Sequence, residues 1–345
     1  MMDHKHQHIR RALLRWYERT RRDLPWRRTR DPYAIWIAET MLQQTQVKTA
    51  LPYYRRFLRA LPSVEALDRA RRAEVLALWS GLGYYRRAMN LKNAARKIVR
   101  DHGGKLPRDF RALRALPGIG PYTAGALMSI AFHERYPAVD GNARRVLTRL
   151  FNIKREKALQ QVAARLVSAS RPGQFNQALM ELGATVCLPR DPRCPRCPIA
   201  AGCEARKFGS IRLQKRLAPK PAARKIDWPL ALIRKNDKIL LRRRPDGGLL
   251  PGLWEIPGGE RKKSESLQAA LRRHLAGLSE RVKLESAMGV IRHNITNRRI
   301  HAPVYLCACA GKTSPPGWRW LPLSSLSRHP LSSLSLKAAR LITEP

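Results

Sequence analysis

A chain of 345 residues carrying 68 Lys plus Arg against 25 Asp plus Glu, a formal charge of +43, is long enough for two domains, each with its own core. An excess of that size, spread along the whole chain, is hard to reconcile with a neutral small-molecule enzyme and points to a polyanion, nucleic acid above all, without separating DNA from RNA. No apolar run approaches a membrane span and the basic stretch from His4 to Arg22 lacks a signal-like apolar core, so no membrane partner and a cytoplasmic or nuclear location are expected.

Ile9, Leu13, Leu14 and Tyr17 recur at helical spacing and lead to a turn at Asp23-Leu24-Pro25-Trp26-Arg27. From Tyr33 to Leu61 the apolar positions predict further helix, interrupted near Pro52. Ser63 suits the N-cap of the helix carrying Leu67, and Val75, Leu76 and Trp79 continue the pattern to Gly81-Leu82-Gly83-Tyr84-Tyr85. Met89, Leu91, Ala94 and Ile98 predict another helix before Gly103-Gly104. Phe110, Leu113 and Leu116 form a short helix ending at Pro117, and Pro121 suits the first position of the next, through Thr123, Leu127 and Ile130. Between them Gly118 and Gly120 lack a Cβ, so backbone N–H groups can approach a phosphate beside a helix N-terminus; by itself such a corner is also an ordinary helical turn. No alternating pattern occurs before about residue 225, so the first two thirds are read as all-helical.

Residues 213–228, rich in Lys, Arg and Pro, read as a basic linker. Beyond it Leu230 to Ile233 and Ile239 to Arg243 are strand candidates around a turn at Lys235-Asn236-Asp237-Lys238, with more strand at Gly289 to Ile291 and Val304 to Ala308. A helix around Leu267 to Leu275 and one at the C-terminus make this part α+β. Cys187, Cys194, Cys197 and Cys203, separated by six, two and five residues, can surround one metal centre; chemistry alone leaves tetrahedral zinc and an iron–sulfur cluster open. Cys307 and Cys309 share one face of a strand and read as packing residues.

The order Leu116-Pro117-Gly118-Ile119-Gly120, then Val139-Asp140-Gly141-Asn142, then four cysteines resembles the helix-hairpin-helix DNA glycosylases of base-excision repair. Leu24-Pro25-Trp26-Arg27, Ala38-Glu39-Thr40-Met41-Leu42-Gln43-Gln44-Thr45-Gln46-Val47 and Gly81-Leu82-Gly83-Tyr84-Tyr85 narrow it to the adenine DNA glycosylases of the MutY type, over most of residues 8–205. The resemblance implies an all-α catalytic domain at 1–212, with its hairpin at 116–123 and a loop at 187–203 holding one [4Fe-4S] cluster in place of zinc. It implies excision of adenine opposite 8-oxoguanine or guanine in double-stranded DNA, by a monomer in the cytoplasm and at the nucleoid if the source is bacterial. A same-fold glycosylase for thymine or uracil opposite guanine, and a non-catalytic damage-binding protein, are the competing readings.

Hydrolysis of a glycosidic bond needs a proton for the leaving base and a negative charge beside the sugar cation, the division made by paired carboxyls. The resemblance gives the first role to Glu39, at adenine N7, and the second to Asp140, with Tyr122 assisting nearby. Taken alone, a helical glutamate is usually a solvated surface residue and an aspartate before Gly-Asn a turn or cap. Trp26, Arg27 and Glu181 match adenine-pocket positions, and Gln44 and Tyr84 match positions entering the base stack; the simpler role of Trp26 and Tyr84 is packing. Bifunctional relatives such as endonuclease III carry a hairpin lysine where Tyr122 stands, so little strand cleavage is expected.

Residues 229–345 resemble a Nudix domain from Leu253-Trp254-Glu255-Ile256-Pro257-Gly258-Gly259-Glu260, with Glu265 following, but Arg273-His274-Leu275-Ala276-Gly277-Leu278 lacks the paired glutamates that hold a divalent cation. A pyrophosphatase is therefore disfavoured, and the resemblance implies a mispair-reading domain. Where relatives present Phe-Ser-His to the oxidised guanine, this chain has Ile295-Thr296-Asn297, with Ile295 as an apolar wedge, Thr296 supplying a hydroxyl and Asn297 an amide. Arg298 and Arg299 suit phosphate contact or a solvated basic face equally.

Overall fold

The computed structural model describes residues 2–209, 223–245, 251–275, 277–278, 281–295, 297–310 and 314–343. Two compact units are present, Met1–Arg69 with Asn90–Pro219 and Ala70–Met89 with Lys220–Pro345. Helices come first: α1 (Met2–Thr20), α2 (Pro32–Leu42), α3 (Val47–Ala60), α4 (Val64–Arg69), α5 (Arg72–Trp79) and α6 (Arg86–His102). They are followed by α7 (Phe110–Arg114), α8 (Pro121–Ala126), α9 (Gly141–Phe151), α10 (Glu156–Leu166), α11 (Pro172–Thr185) and the short α12 (Glu204–Lys207).

The first unit buries the predicted stripe of α1 (Ile9, Leu13, Tyr17) against Val146, Leu147 and Leu150 of α9, Leu159 and Leu166 of α10 and Phe175, Leu179 and Leu182 of α11. Ser63 caps α4 by accepting from the Ala66 N–H at 3.2 Å. The interruption expected at Pro52 lies elsewhere: Pro52 sits inside α3, and the chain breaks at 43–46, where Gln44 takes φ +58°. The left-handed residue breaks the helix, whereas the proline costs only one ladder bond near the start of α3. As expected, α7 ends before Pro117 and Pro121 opens α8, which runs on into a turn of π-helix at Leu127–Ala131.

In the second unit the strands are β1 (Arg224–Asp227), β2 (Leu230–Lys235), β3 (Lys238–Arg243), β4 (Trp254–Glu255), β5 (Val282–Ile295), β6 (Arg298–Cys309) and β7 (Trp318–Pro322), with α13 (Leu267–His274) and α14 (Ser333–Thr343). The sheet order is β1-β6-β2-β3-β4, with β5 antiparallel to β6 and β7 antiparallel to β3. Alternation sends Ile291, Ile300, Ala302 and Val304 to one face, under α14, and Ala231, Ile233, Tyr305 and Cys307 to the other, under α13. Cys307 and Cys309 pack on this second face, as their spacing predicts.

Two boundaries differ from the sequence reading. The expected linker 213–228 contains β1, paired in parallel with β6 from Arg224↔Arg298 to Asp227↔His301, while 213–222 lie outside the described residues. A four-residue strand is too short to register as alternation amid Lys and Arg. Residues 70–89, expected inside the 1–212 domain, group with the second unit, because the Ser80 and Tyr85 hydroxyls both donate to the Leu331 carbonyl, at 2.8 and 2.9 Å.

Buried Glu255 is held by Arg242 at 2.8 Å and by Arg244, whose side chains keep 27% and 17% of their exposure. Removing one partner of a fully buried pair costs roughly 3–5 kcal/mol. Because both arginines keep some solvent, Glu255→Ala is expected to destabilise the second unit by about 2–3 kcal/mol, measured as a fall in its unfolding midpoint in urea.

Candidate active site

Glu39 lies near the C-terminal end of α2, 5% exposed, and accepts a hydrogen bond from the Tyr122 hydroxyl, which leads from the start of α8. The same hydroxyl lies 3.3 Å from Met180 Sδ on α11. Burial pushes the Glu39 carboxyl up to about 7; the Tyr122 hydrogen bond opposes the rise, nearby Asp140 adds to it, and Arg27 opposes it. Asp140 is the N-cap of α9, accepting from the Ala143 N–H at 2.7 Å and from Asn142 Nδ2 at 2.9 Å. Burial raises its pKa too, but these hydrogen bonds and the Arg145 cation pull the other way. The two carboxyls thus differ in kind: Glu39 meets a phenol in an apolar setting, and Asp140 meets donors at a helix N-terminus that favour its charge.

Arg27 and Glu181 are brought together, Nη2 to Oε2 at 2.7 Å, and Trp26 packs edge-on against Tyr54 at 5.1 Å. The sequence did not suggest Arg22, which pairs side-on with the same carboxylate at 2.8 and 2.7 Å. Burial pushes Glu181 up, but the hydrogen bonds of Arg22 and Arg27 outweigh it and hold the carboxylate at about 2. Glu181 is therefore ionised at neutral pH while Glu39 is poised to hold a proton.

In the hairpin Gly118 takes φ +78°, and a Cβ there would meet Asn90 Cβ at 2.7 Å, so both backbone and packing require glycine. Gly120 faces open space at the N-cap of α8, leaving room for a ligand to approach its backbone. Gln44 is exposed at the turn after α2, beside Gln43, whose amide donates to Thr123 Oγ1 at 3.2 Å. Tyr84, in the second unit, is 47% exposed with φ +51°. The guanidinium of buried Arg87 lies 5.2 Å from its ring and 5.4 Å from the ring of Trp79, and donates to the Gly83 carbonyl at 3.1 Å.

The four cysteines line one cavity together with Arg149 and Arg206. An all-thiol donor set facing guanidinium groups suits an anionic, thiolate-ligated centre. Among the described residues no three His, Cys, Asp or Glu side chains converge closely enough to hold a single metal ion. Two arginines one turn apart on α9 anchor the start of the loop. Arg149 Nη1 donates to the Leu188 carbonyl at 2.7 Å and lies 3.4 Å from Cys187 Sγ, while Arg145 Nε donates to the Cys187 carbonyl at 2.7 Å. Arg145 also reaches Asn142 Oδ1 at 2.8 Å, and the bare Cα of Gly183 lets α11 approach: a Cβ there would meet Asn142 Cβ at 2.6 Å. Arg145 and Arg149 carry a signal visible only in retrospect, an i, i+4 basic pair on an otherwise buried helix face.

The hairpin of β5 and β6 departs from expectation. Ile295 lies on the face of Ile291 and Ile300 and packs on the core under α14, so it is not an outward wedge. The two-residue period of the strand fixes this direction. Asn297 is exposed and its carbonyl accepts from the Arg224 N–H at 2.8 Å; Thr296 lies outside the described residues. The Nudix-like acids are tied to arginines: Glu260 to Arg224 at 2.6 Å and Glu265 to Arg273 at 2.7 Å.

Residues 37–172 match the model of the HhH-GPD superfamily of base excision DNA repair proteins, and 230–340 that of the NUDIX domain. The chain is 36% identical to the adenine DNA glycosylase of Homo sapiens over 95% of its own length and 73% of that protein's. To the adenine DNA glycosylase of Schizosaccharomyces pombe it is 30% identical over 98% and 90%. Among solved structures it resembles a thermostable thymine-DNA glycosylase, with 33% identity and TM-score 0.57, over 60% of this chain and 99% of that one. It shares the fold of endonuclease III trapped on DNA, at 22% identity and TM-score 0.52, over 59% of this chain and 98% of that one.

Because Glu39 rises from 4.5 to about 7 on folding, the folded state binds more protons than the unfolded between these values, and stability falls as pH rises through them. The Glu39→Gln variant escapes this loss. Its stability relative to the parent is expected to grow by on the order of 3 kcal/mol between pH 4.5 and pH 8, read by urea unfolding at each pH.

Proposed function

The chain belongs to the adenine DNA glycosylase family, and from that premise we propose that it hydrolyses the N-glycosidic bond of adenine mispaired with 8-oxoguanine or guanine in duplex DNA, acting as a monomer. The observation that carries the reading is the buried Glu39 carboxyl, held up to about 7 beside Tyr122, with the N-capping carboxylate of Asp140 close enough to influence both. Glu39 gives its proton to adenine N7, so the electron pair of the breaking C1′–N9 bond leaves on a neutral base. Asp140 faces the developing cation at C1′, and water adds there, losing a proton to a carboxylate. Tyr122 fixes the orientation of Glu39 through its hydroxyl.

The base must leave the stack to reach these groups, at a cost of a few kcal/mol. Exposed Gln44, and in the second unit exposed Tyr84, are each suited to enter the base stack, the turn at Gly118 and the open backbone at Gly120 to bind phosphate, and Trp26, Arg27 and Glu181 to line the adenine pocket. Cys187, Cys194, Cys197 and Cys203 would hold a [4Fe-4S] cluster, which supplies four metal–thiolate bonds that tie 187–203 into one loop. Tyr122 offers a phenol where a Schiff base needs a neutral amine, so base removal proceeds with little strand cleavage. In the second unit exposed Asn297 is suited to read the opposite base, and the acids Glu260 and Glu265 of the Nudix-like motif are paired with arginines.

Single-turnover release of free base from duplexes with adenine opposite 8-oxoguanine and opposite guanine tests the proposal. Adenine is expected from both, with Glu39→Gln and Asp140→Asn each slower by roughly 10²–10⁴-fold. The parent rate should fall as pH rises above about 7, where Glu39 loses its proton. No adenine release from either duplex would overturn the assignment.

A further inference from the structure

The register of three strands assembles a cationic face that the catalytic reading does not use. Lys225 on β1 pairs with Arg299 on β6, which pairs with Asn294 on β5; one step along, Asp227 pairs with His301 and His301 with Arg292. Directly paired residues, and residues two apart on a strand, share a face, so all six side chains project together. This is the face that farther along carries Tyr305 and Cys307 under α13. At the hairpin end it emerges, and Lys225, Arg292, Asn294, Arg299 and His301 are all exposed. The one acid among the six is already engaged: Arg261 Nη2 lies 2.7 Å from Asp227 Oδ2 and His301 Nδ1 3.3 Å from Oδ1. The opposite face of the same hairpin, with Ile291, Ile295 and Ile300, is turned to the core.

We infer that the face formed by Lys225, Arg292, Asn294, Arg299 and His301 binds the phosphate backbone of the duplex, so that this hairpin grips DNA through charge beside whatever its tip reads. The inference rests on the assignment of duplex DNA as substrate. Three strands span about 10 Å, wide enough to face more than one phosphate. Lys and Arg at fixed register supply point and forked charges, and the Asn294 amide adds a neutral donor. A backbone grip of this kind carries no sequence information and releases counterions.

The test is the slope of log Kd against log salt for the full chain and a duplex with adenine opposite guanine. In the triple variant Lys225→Ser, Arg292→Ser, Arg299→Ser the slope should be shallower by roughly 2–3, about one per lost cation, while adenine release at saturating enzyme stays at the parent rate. The charge-keeping triple Lys225→Arg, Arg292→Lys, Arg299→Lys should hold the parent slope. A control triple at the far end of the sheet, Arg234→Ser, Lys235→Ser, Lys238→Ser, should hold it too. An unchanged slope in the first variant, or an equal loss in the control, overturns the inference. A parent that binds DNA without releasing adenine would instead count against the catalytic assignment and leave the slope readable.

Discussion

Burying an ionisable carboxyl whose hydrogen-bond partner is a neutral phenol is the constraint from which the catalytic unit follows. Water would stabilise the charge of Glu39 far better than its surroundings do, so the folded chain holds the proton instead. The remaining polar demand is met by one phenol, Tyr122, delivered by the helix after the glycine hairpin. Hairpin geometry and proton chemistry are therefore linked: the residues that let the backbone turn at Gly118 also set where the phenol stands.

Around that centre like groups are driven to unlike states by their partners. Three acids sit in the same unit, and each has its own fate. Glu39 has a neutral donor and rises, Asp140 has helix N-terminal donors that oppose its rise, and Glu181 has two guanidinium groups and falls to about 2. The cysteine loop is fastened to the same helix that Asp140 caps, through Arg145 and Arg149, so α9 carries Asp140 at its N-cap and the thiol cavity on its flank. The second unit uses arginine in the opposite sense. There guanidinium groups pair with the acids that remain of the Nudix-like motif, Glu255 with Arg242 and Glu265 with Arg273.

Much of this was legible in the chain because it is written in local chemistry. Pro121 at a helix start, Ser63 as a cap, the cysteine spacing and the two-residue period of β6 need only near neighbours to be read. What escaped depends on partners distant in sequence. Arg22 meets Glu181 across 159 positions, and Ser80 meets Leu331 across 251; neither side chain is unusual on its own. Ile295 invited a wedge because it sits at a loop, yet strand register turns it inward, and only pairing with β6 decides that. Pro52 shows the converse error: a strong local signal was tolerated because the break was placed at Gln44 instead.

The central claim is that burial leaves Glu39 protonated near neutral pH in the free protein. Isotope-edited infrared difference spectra, taken across a pH titration of the parent and of Glu39→Gln, observe that proton directly. A protonated carboxyl band that is present at pH 6, disappears around pH 7 and is missing from the variant is the predicted result. A Glu39 carboxyl already ionised at pH 6, titrating near the ordinary value of 4.5, would contradict it.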